Sequence, residues 1–272
     1  RQGRWDYGAA FTHQFPNGWS SLSAGVEEDP YAIWSLDLNL GLGISENSRI
    51  GLFANKGRMK SDFDDSFNGV DAPFQYRTAQ ERAGLRWEWK DSLQQIQVIG
   101  AFTEFRSINQ SDFPGAFDGK SLTADITYKR KLTHRLYGLA GLNYIRDRAA
   151  LENPEEFTLL DPYLNLVWTD PSGWNLNAGL RLNIHSTYGN KGVYQVNPSY
   201  AHRFEKGYLK LMGTAATSYI TPSLAQLYGA FGANPELEAE TNRTLEAGAE
   251  LYLDSGLRFS LVHFSRRENN TV

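Results

Sequence analysis

Four carboxylates, Asp62, Asp64, Asp65 and Asp71, fall within the stretch SDFDDSFNGVDAP, together with Asn68. Hard oxygen donors this close on one loop suit Ca²⁺, which takes about six to eight oxygen ligands. Their spacing fits no EF-hand loop, and a solvated acidic loop has the same composition. Aromatic residues mark similar segments: Phe63, Phe67, Phe113, Phe117, Phe157, Tyr188, Tyr228 and Phe231. Aromatic walls with a few polar groups are the usual surface for a bulky ligand, so these eight are candidate ligand contacts. Loop aromatics that pack on one another are an equal alternative for each. His13, His134, His185, His202 and His263 are scattered, with no HExxH and no i,i+4 pair, so neither a zinc site nor a Ser-His-Asp constellation is expected. Nothing supports a glycosidase role for Asp147 with Glu152, or for Glu155 with Glu156. Gly41-Leu42-Gly43 precedes no helix and is not a nucleotide loop. The residues predict no enzyme, and calcium is the one ion they suit.

The elements that carry these residues are written in alternation. In WSLDLNLGLGIS, Trp34, Leu36, Leu38, Leu40, Leu42 and Ile44 take every even place, and polar or glycine residues take every odd one. WNLNAGLRLNIH repeats the rule, with Trp174, Leu176, Ala178, Leu180, Leu182 and Ile184 on one side and Asn175, Asn177, Arg181 and Asn183 on the other. Period two over such lengths is the mark of β-strands. About 14 segments of ~10–14 residues are expected, against a usual strand mode of ~5–6. A 12-residue strand runs ~40 Å and, tilted by ~45°, rises ~28 Å, close to the thickness of bilayer hydrocarbon.

The totals agree. The chain has 272 residues, 41% hydrophobic and 21% charged, with no apolar run long enough for a transmembrane helix. Neither a signal nor a transit peptide opens it. A net charge of −4 makes no case for nucleic acid, and the absence of Cys excludes disulfides and thiolate metal sites. The connections sort by parity. Short turns are expected at 16–18, 45–48, 90–92, 132–134, 170–173, 205–207 and 254–256. Longer loops fall near 61–73, 107–119, 149–157, 186–192 and 219–241, and the connection near Glu27–Pro30 is brief for its place. Short turns on one rim and long loops on the other is the habit of an outer-membrane barrel. The Leu faces then look at lipid, and Asp37, Asn39, Arg82, Arg86 and Arg181 look into a wet lumen.

One stretch carries more. Residues 218–251 contain Thr221-Pro222-Ser223-Leu224, Gln226-Leu227-Tyr228-Gly229, Asn234-Pro235-Glu236-Leu237, Glu240-Thr241 and Glu246. This resembles the late barrel signature of TonB-dependent outer-membrane receptors, with Ala239 where that family usually has Pro. Asp161–Phe204 resembles the family's mid-barrel hairpins, and FSRRENNTV resembles the strand after the signature. The resemblance implies an all-β fold: an antiparallel transmembrane β-barrel portion, about 14 strands of a barrel of about 22, with no plug domain in this chain. Residues 1–272 are one partial-barrel domain. The implied partners are lipid and lipopolysaccharide, a plug and the remaining strands, and TonB acting through the plug. The implied function is import of cobalamin or a ferric siderophore across the bacterial outer membrane. In the vitamin B12 branch early outer loops bind calcium, which matches the acidic stretch in position and composition. A passive porin-like or adhesive barrel, or a soluble β-rich binding protein, is the alternative.

Overall fold

The computed structural model describes residues 3–20, 22, 28–229 and 232–270. They form thirteen strands: β1 (Trp5–Gln14), β2 (Tyr31–Gly43), β3 (Ser48–Asp65), β4 (Val70–Lys90), β5 (Gln94–Gln110), β6 (Gly115–Lys131) and β7 (Leu136–Ala149), then β8 (Glu155–Thr169), β9 (Trp174–His185), β10 (Gly189–Phe204), β11 (Gly207–Ile220), β12 (Glu240–Leu253) and β13 (Arg258–Asn269). A short helix, α1 (Leu224–Tyr228), lies between β11 and β12. All thirteen strands belong to one antiparallel sheet whose spatial order follows the chain from β1 to β13. Neither β1 nor β13 pairs with the other, so the sheet is unclosed.

The alternation predicted from sequence sets the two faces. Leu38, Leu40, Leu180 and Leu182 are 44%, 41%, 63% and 40% exposed. Pairing carries these rows from strand to strand: Leu40 opposes Leu52, and Leu52 opposes Leu85. The result is a continuous apolar belt that needs lipid against it, since water would not tolerate so large an apolar surface.

The opposite face is polar and satisfies itself sideways. Asn55 Nδ2 donates to Asp37 Oδ1 at 2.6 Å, and Asn165 Nδ2 donates to Asn177 Oδ1 at 2.7 Å. Thr127 Oγ1 donates to Asp125 at 2.8 Å and lies 2.9 Å from the Tyr163 hydroxyl. The Tyr163 ring lies across Gly141, where a Cβ would come within 2.3 Å of the ring. Glycine there makes room for the aromatic ring of the neighbouring strand. Helix α1 packs against this polar side, reaching from the β11–β12 connection to Ala149 at the end of β7 and Phe157 in β8. Only a sheet curled towards that side lets a loop after β11 meet β7, so the polar face is concave.

Two expectations change. The predicted turn at 16–18 is not a short hairpin. β1 runs only to Gln14 and pairs directly with β2, so no hairpin partner follows the turn among the described residues, and β1 and β2 join on the long-loop rim. Gly18 there, at φ +79°, lies against the Asp29 backbone, which excludes any side chain. Among the described residues thirteen strands therefore stand where about fourteen were expected, and the brief connection near Glu27–Pro30 no longer breaks the parity of the series; residues 21 and 23–27 lie outside the described ones. The second change concerns the long loops at 61–73 and 107–119. They are mostly strand: β3 continues to Asp65, β4 starts at Val70, and β5 reaches Gln110. These ladders stand well above the belt, because backbone paired to a neighbouring strand needs no further partner.

Candidate functional site

Where the strands leave the belt, their polarity inverts. Along β3 the outward residues Ile50, Leu52 and Ala54 give way to Lys56, Arg58 and Lys60. Along β5, outward Val98 and Phe102 give way to Glu104 and Arg106, while the inward positions become Phe105, Ser107 and Asn109. Lipid no longer covers the outside, so charges go there. The aromatics turn to the concave side, where other protein segments can shield them.

One such shield is α1. Ser223 caps it: Ser223 Oγ accepts from the Gln226 N–H at 3.3 Å, and Gln226 Oε1 accepts from the Ser223 N–H at 2.9 Å. This capping box starts a helix too short to be stable alone. Burial supplies the remainder. Leu224 and Leu227, three residues apart, are both buried, and Leu224 packs with Ala149 and Phe157. Phe117, Leu151 and Tyr228 flank that cluster. At Gly229 a Cβ would meet the Ala225 carbonyl oxygen at 2.3 Å, so only glycine ends the helix in this way. The chain then turns at Asn234, whose side chain accepts from the Glu236 N–H at 3.0 Å, while the Asn234 N–H donates to the Gln226 carbonyl at 2.9 Å. Tyr188 fastens the loop from the other side, its hydroxyl donating to the Leu237 carbonyl at 2.9 Å. Burial pushes the Tyr188 phenol above its ordinary pKa and keeps it the donor.

Between α1 and the inner faces of β3–β6 lies a cavity of about 690 Å³. Its wall includes Phe63, Tyr76, Phe105, Phe113 and Phe117, with Ser107, Asn109, Ala225 and Gly229. This is an aromatic pocket with a few hydrogen-bonding groups, of a size that suits a small bulky ligand. The structure therefore brings Phe63, Phe113 and Phe117 together. Phe157 supports α1 from behind and lies 4.7 Å from His185 with the two rings tilted, while Tyr228 is the last residue of α1 itself and packs against the same cluster. Tyr188 is a fastener of the loop. Phe67, 97% exposed at the tip of the β3–β4 hairpin, stands apart, and Phe231 lies outside the described residues. Sequence reading missed Tyr76 and Phe105 because both sit within strands. Their signal was the aromatic residue opposite a charged neighbour, as in Glu104-Phe105-Arg106.

The acidic stretch is arranged differently. Asp64 is 2% exposed, and its carboxylate accepts from Ser20 Oγ at 3.1 Å and the Ala72 N–H at 3.2 Å. It ties the β1–β2 connection to the β3–β4 hairpin. Asp65 closes the hairpin tip by accepting from Asn68, whose side chain chiefly holds its carboxyl below the usual carboxylate range. Asp62 accepts from Gln75 Nε2 at 2.6 Å, and Asp71 is exposed. Among the described residues, no three His, Asp or Glu side chains converge as a metal-binding group.

A family model described as TonB dependent receptor-like, beta-barrel matches residues 1–271. No curated protein sequence matches the chain. Among solved structures, the siderophore receptor PirA from Acinetobacter baumannii superposes with a TM-score of 0.81 at 11% identity, over 98% of this chain and 48% of that one. The FrpB iron transporter from Neisseria meningitidis gives 0.78 at 12% identity, over 98% and 51%. The copper transporter OprC gives 0.74 at 14%, over 96% and 49%. The chain thus spans about half the length of the structures it resembles. These relatives are receptors and transporters of the Gram-negative outer membrane, not enzymes, and the exposed apolar belt places this sheet in the same bilayer. With its alternating strands, its parity of turns and a family match over nearly every residue, the chain belongs to the β-barrel family of TonB-dependent receptors.

Proposed function

We propose that the protein is a TonB-dependent importer of a ferric siderophore, and that this chain supplies thirteen strands of its wall and an aromatic half of its mouth. The observation that carries the reading is the cavity beneath α1, on the concave side of a receptor barrel and above the lipid belt. A ligand arriving from outside meets Phe63, Phe105 and Phe113 first, before the polar lumen. Siderophore and iron cargo is named for two of the relatives, which favours an iron chelate over cobalamin. Inside the barrel the wall offers groups for a plug to meet. Asp147 and Asp161 each keep one buried oxygen without a hydrogen-bond partner among the described residues, and so does His185 Nε2. Contacts between plug and wall would release when TonB pulls, and the ligand would pass inward with no chemistry done on it.

The test is uptake of radiolabelled ferric siderophores and of labelled cobalamin by cells that carry the protein, with and without TonB. Siderophore uptake that needs both the protein and TonB is expected. The variant F105A should weaken apparent affinity roughly five- to tenfold, the worth of one aromatic contact, while the amount inserted in the membrane stays the same. Uptake that ignores the loss of TonB, or that serves only cobalamin, would overturn the reading.

A further inference from the structure

His185 ends β9 on the concave side, above the outward apolar row that stops at Ile184. It is 3% exposed, and the transport reading makes no use of its Nδ1 atom. Nδ1 accepts two backbone hydrogen bonds, from the Thr187 N–H at 3.0 Å and the Tyr188 N–H at 3.2 Å. These bonds fold the β9–β10 turn back over the imidazole, much as an Asn side chain shapes an Asx turn. A ring nitrogen that accepts carries no proton, so the ring is neutral and its single hydrogen sits on Nε2. Nε2 is buried without a hydrogen-bond partner among the described residues. The Phe157 ring lies 4.7 Å away, centroid to centroid, and the Tyr188 ring meets the imidazole edge-on at 5.1 Å. A second proton can therefore go only to Nδ1, where it displaces both N–H donors.

Two paths lead from that nitrogen to α1. One runs through the turn: the Tyr188 hydroxyl donates to the Leu237 carbonyl at 2.9 Å, and in the same segment the Asn234 N–H donates to the Gln226 carbonyl of α1 at 2.9 Å. The other runs through Phe157, which touches His185 on one side and the cluster of Leu224 and Ala149 on the other. Ala225 and Gly229 belong to the wall of the aromatic cavity, so undocking α1 opens that cavity outward. The charges around the ring are few. Asp147 from β7 and Glu155 and Asp161 from β8 share its face, with Asp161 3.9 Å from Arg181. Lys191 from β10 opposes Asn183, one pleat below, α1 brings no charged side chain, and Glu236 and Glu238 are exposed. We infer that His185 is an acid-operated latch: with Nδ1 bare it holds the β9–β10 turn, Tyr188 and α1 over the aromatic cavity, and with Nδ1 protonated it releases them. Burial lowers the imidazole from its ordinary value of 6.5, and Asp147 pulls it back in part. The latch is therefore fully closed above about pH 6.5 and is lost as pH falls through the lower value of the closed state.

The experiment uses the protein purified from outer membranes and follows amide hydrogen exchange by mass spectrometry from about pH 8 to about pH 4.5, corrected for the intrinsic effect of pH on exchange. In the wild type, protection at residues 186–188 and 224–228 should be constant above about pH 6.5 and fall by up to about tenfold per pH unit below it. Protection in the middle of β9 should not change. H185N places an amide oxygen close to where Nδ1 stood and cannot titrate, so both segments should stay protected across the range. H185F has no acceptor and should leave both segments unprotected at every pH. D147N removes the acid that favours the cation, so its fall should move to lower pH, a shift that a merely structural role of His185 would not produce. Wild-type protection that ignores pH, an acid loss in H185N equal to that of wild type, or a D147N fall that stays in place or moves to higher pH would each overturn the latch. If H185N does not insert, wild type and D147N carry the test. No ligand enters the measurement, so its outcome stands apart from the fate of the transport reading.

Discussion

Placing an arginine at Leu180 tests the orientation of the whole sheet. Leu180 is the most exposed leucine of β9, in the outward row that runs from Trp174 to Ile184. That row is ten residue steps long, ~33 Å along the strand and ~25 Å after a tilt of ~40°. Leu180 is six steps from Trp174, so it lies within about 3 Å of the hydrocarbon midplane. An Arg there costs ~2–4 kcal/mol in a transmembrane barrel, a roughly 30- to several-hundred-fold change in the folding equilibrium. The control is N177R, three residues away on the concave face. It meets water and loses only the 2.7 Å hydrogen bond from Asn165, worth ~1 kcal/mol. The assay is urea titration of the membrane-inserted protein in lipid vesicles, read by tryptophan fluorescence. L180R should be the costlier variant by ~1–3 kcal/mol. A neutral L180R beside a destabilised N177R would mean that the Leu rows face protein or water, and the assignment of the two faces would fall with it.

The helix under the rim makes a second prediction. L224A removes a side chain buried against Ala149 and Phe157, so ~2–5 kcal/mol of local docking should go. Hydrogen exchange at residues 224–228 should rise while exchange in β9 stays unchanged; slow exchange at α1 in the variant would show that the helix does not depend on this contact. S223A should open the same segment by about 1 kcal/mol through loss of the cap. A third concerns acid. Asp91, in the turn between β4 and β5, accepts from the Leu93 and Gln94 N–H groups at 2.7 and 2.8 Å. The first of these bonds does most to hold its carboxyl below the ordinary value, so its stabilisation is complete above the unfolded pKa of about 4 and disappears as pH falls through the lower folded value. D91N keeps an acceptor but cannot titrate, and its urea midpoint between pH 5 and pH 2 should fall less steeply than that of wild type. Parallel curves would remove Asp91 from the acid response.

How much was legible follows from what each feature depends on. The strands of Trp34–Ile44 and Trp174–His185 announced themselves because alternation is local, and six repeats leave little room for another reading. The Gln226-Leu227-Tyr228-Gly229 and Asn234-Pro235 run pointed to the family because caps and turns are written in adjacent residues. The acidic stretch was misjudged as a flexible loop because Ser61–Pro73 has loop composition. Its true state depends on pairing with β4 and on Ser20, 44 positions away from Asp64. The fourteenth strand was an error of the same kind: PNG is a good hairpin signal, but the pairing of β1 with β2 is decided across the sheet.

From sequence alone came two opposed faces, the antiparallel all-β class and the family, since each needs only the order of neighbouring residues. Tertiary structure alone decided register and curvature, and through them which stretch of each strand lies in lipid. Phe105 and Arg106 read as one more alternating pair until pairing lifts them clear of the belt, where the aromatic ring joins a pocket beneath α1 and the guanidinium joins Arg58, Lys60 and Arg77. A side chain's face is fixed by its own backbone, but its height and its companions are fixed by strands far away in the chain.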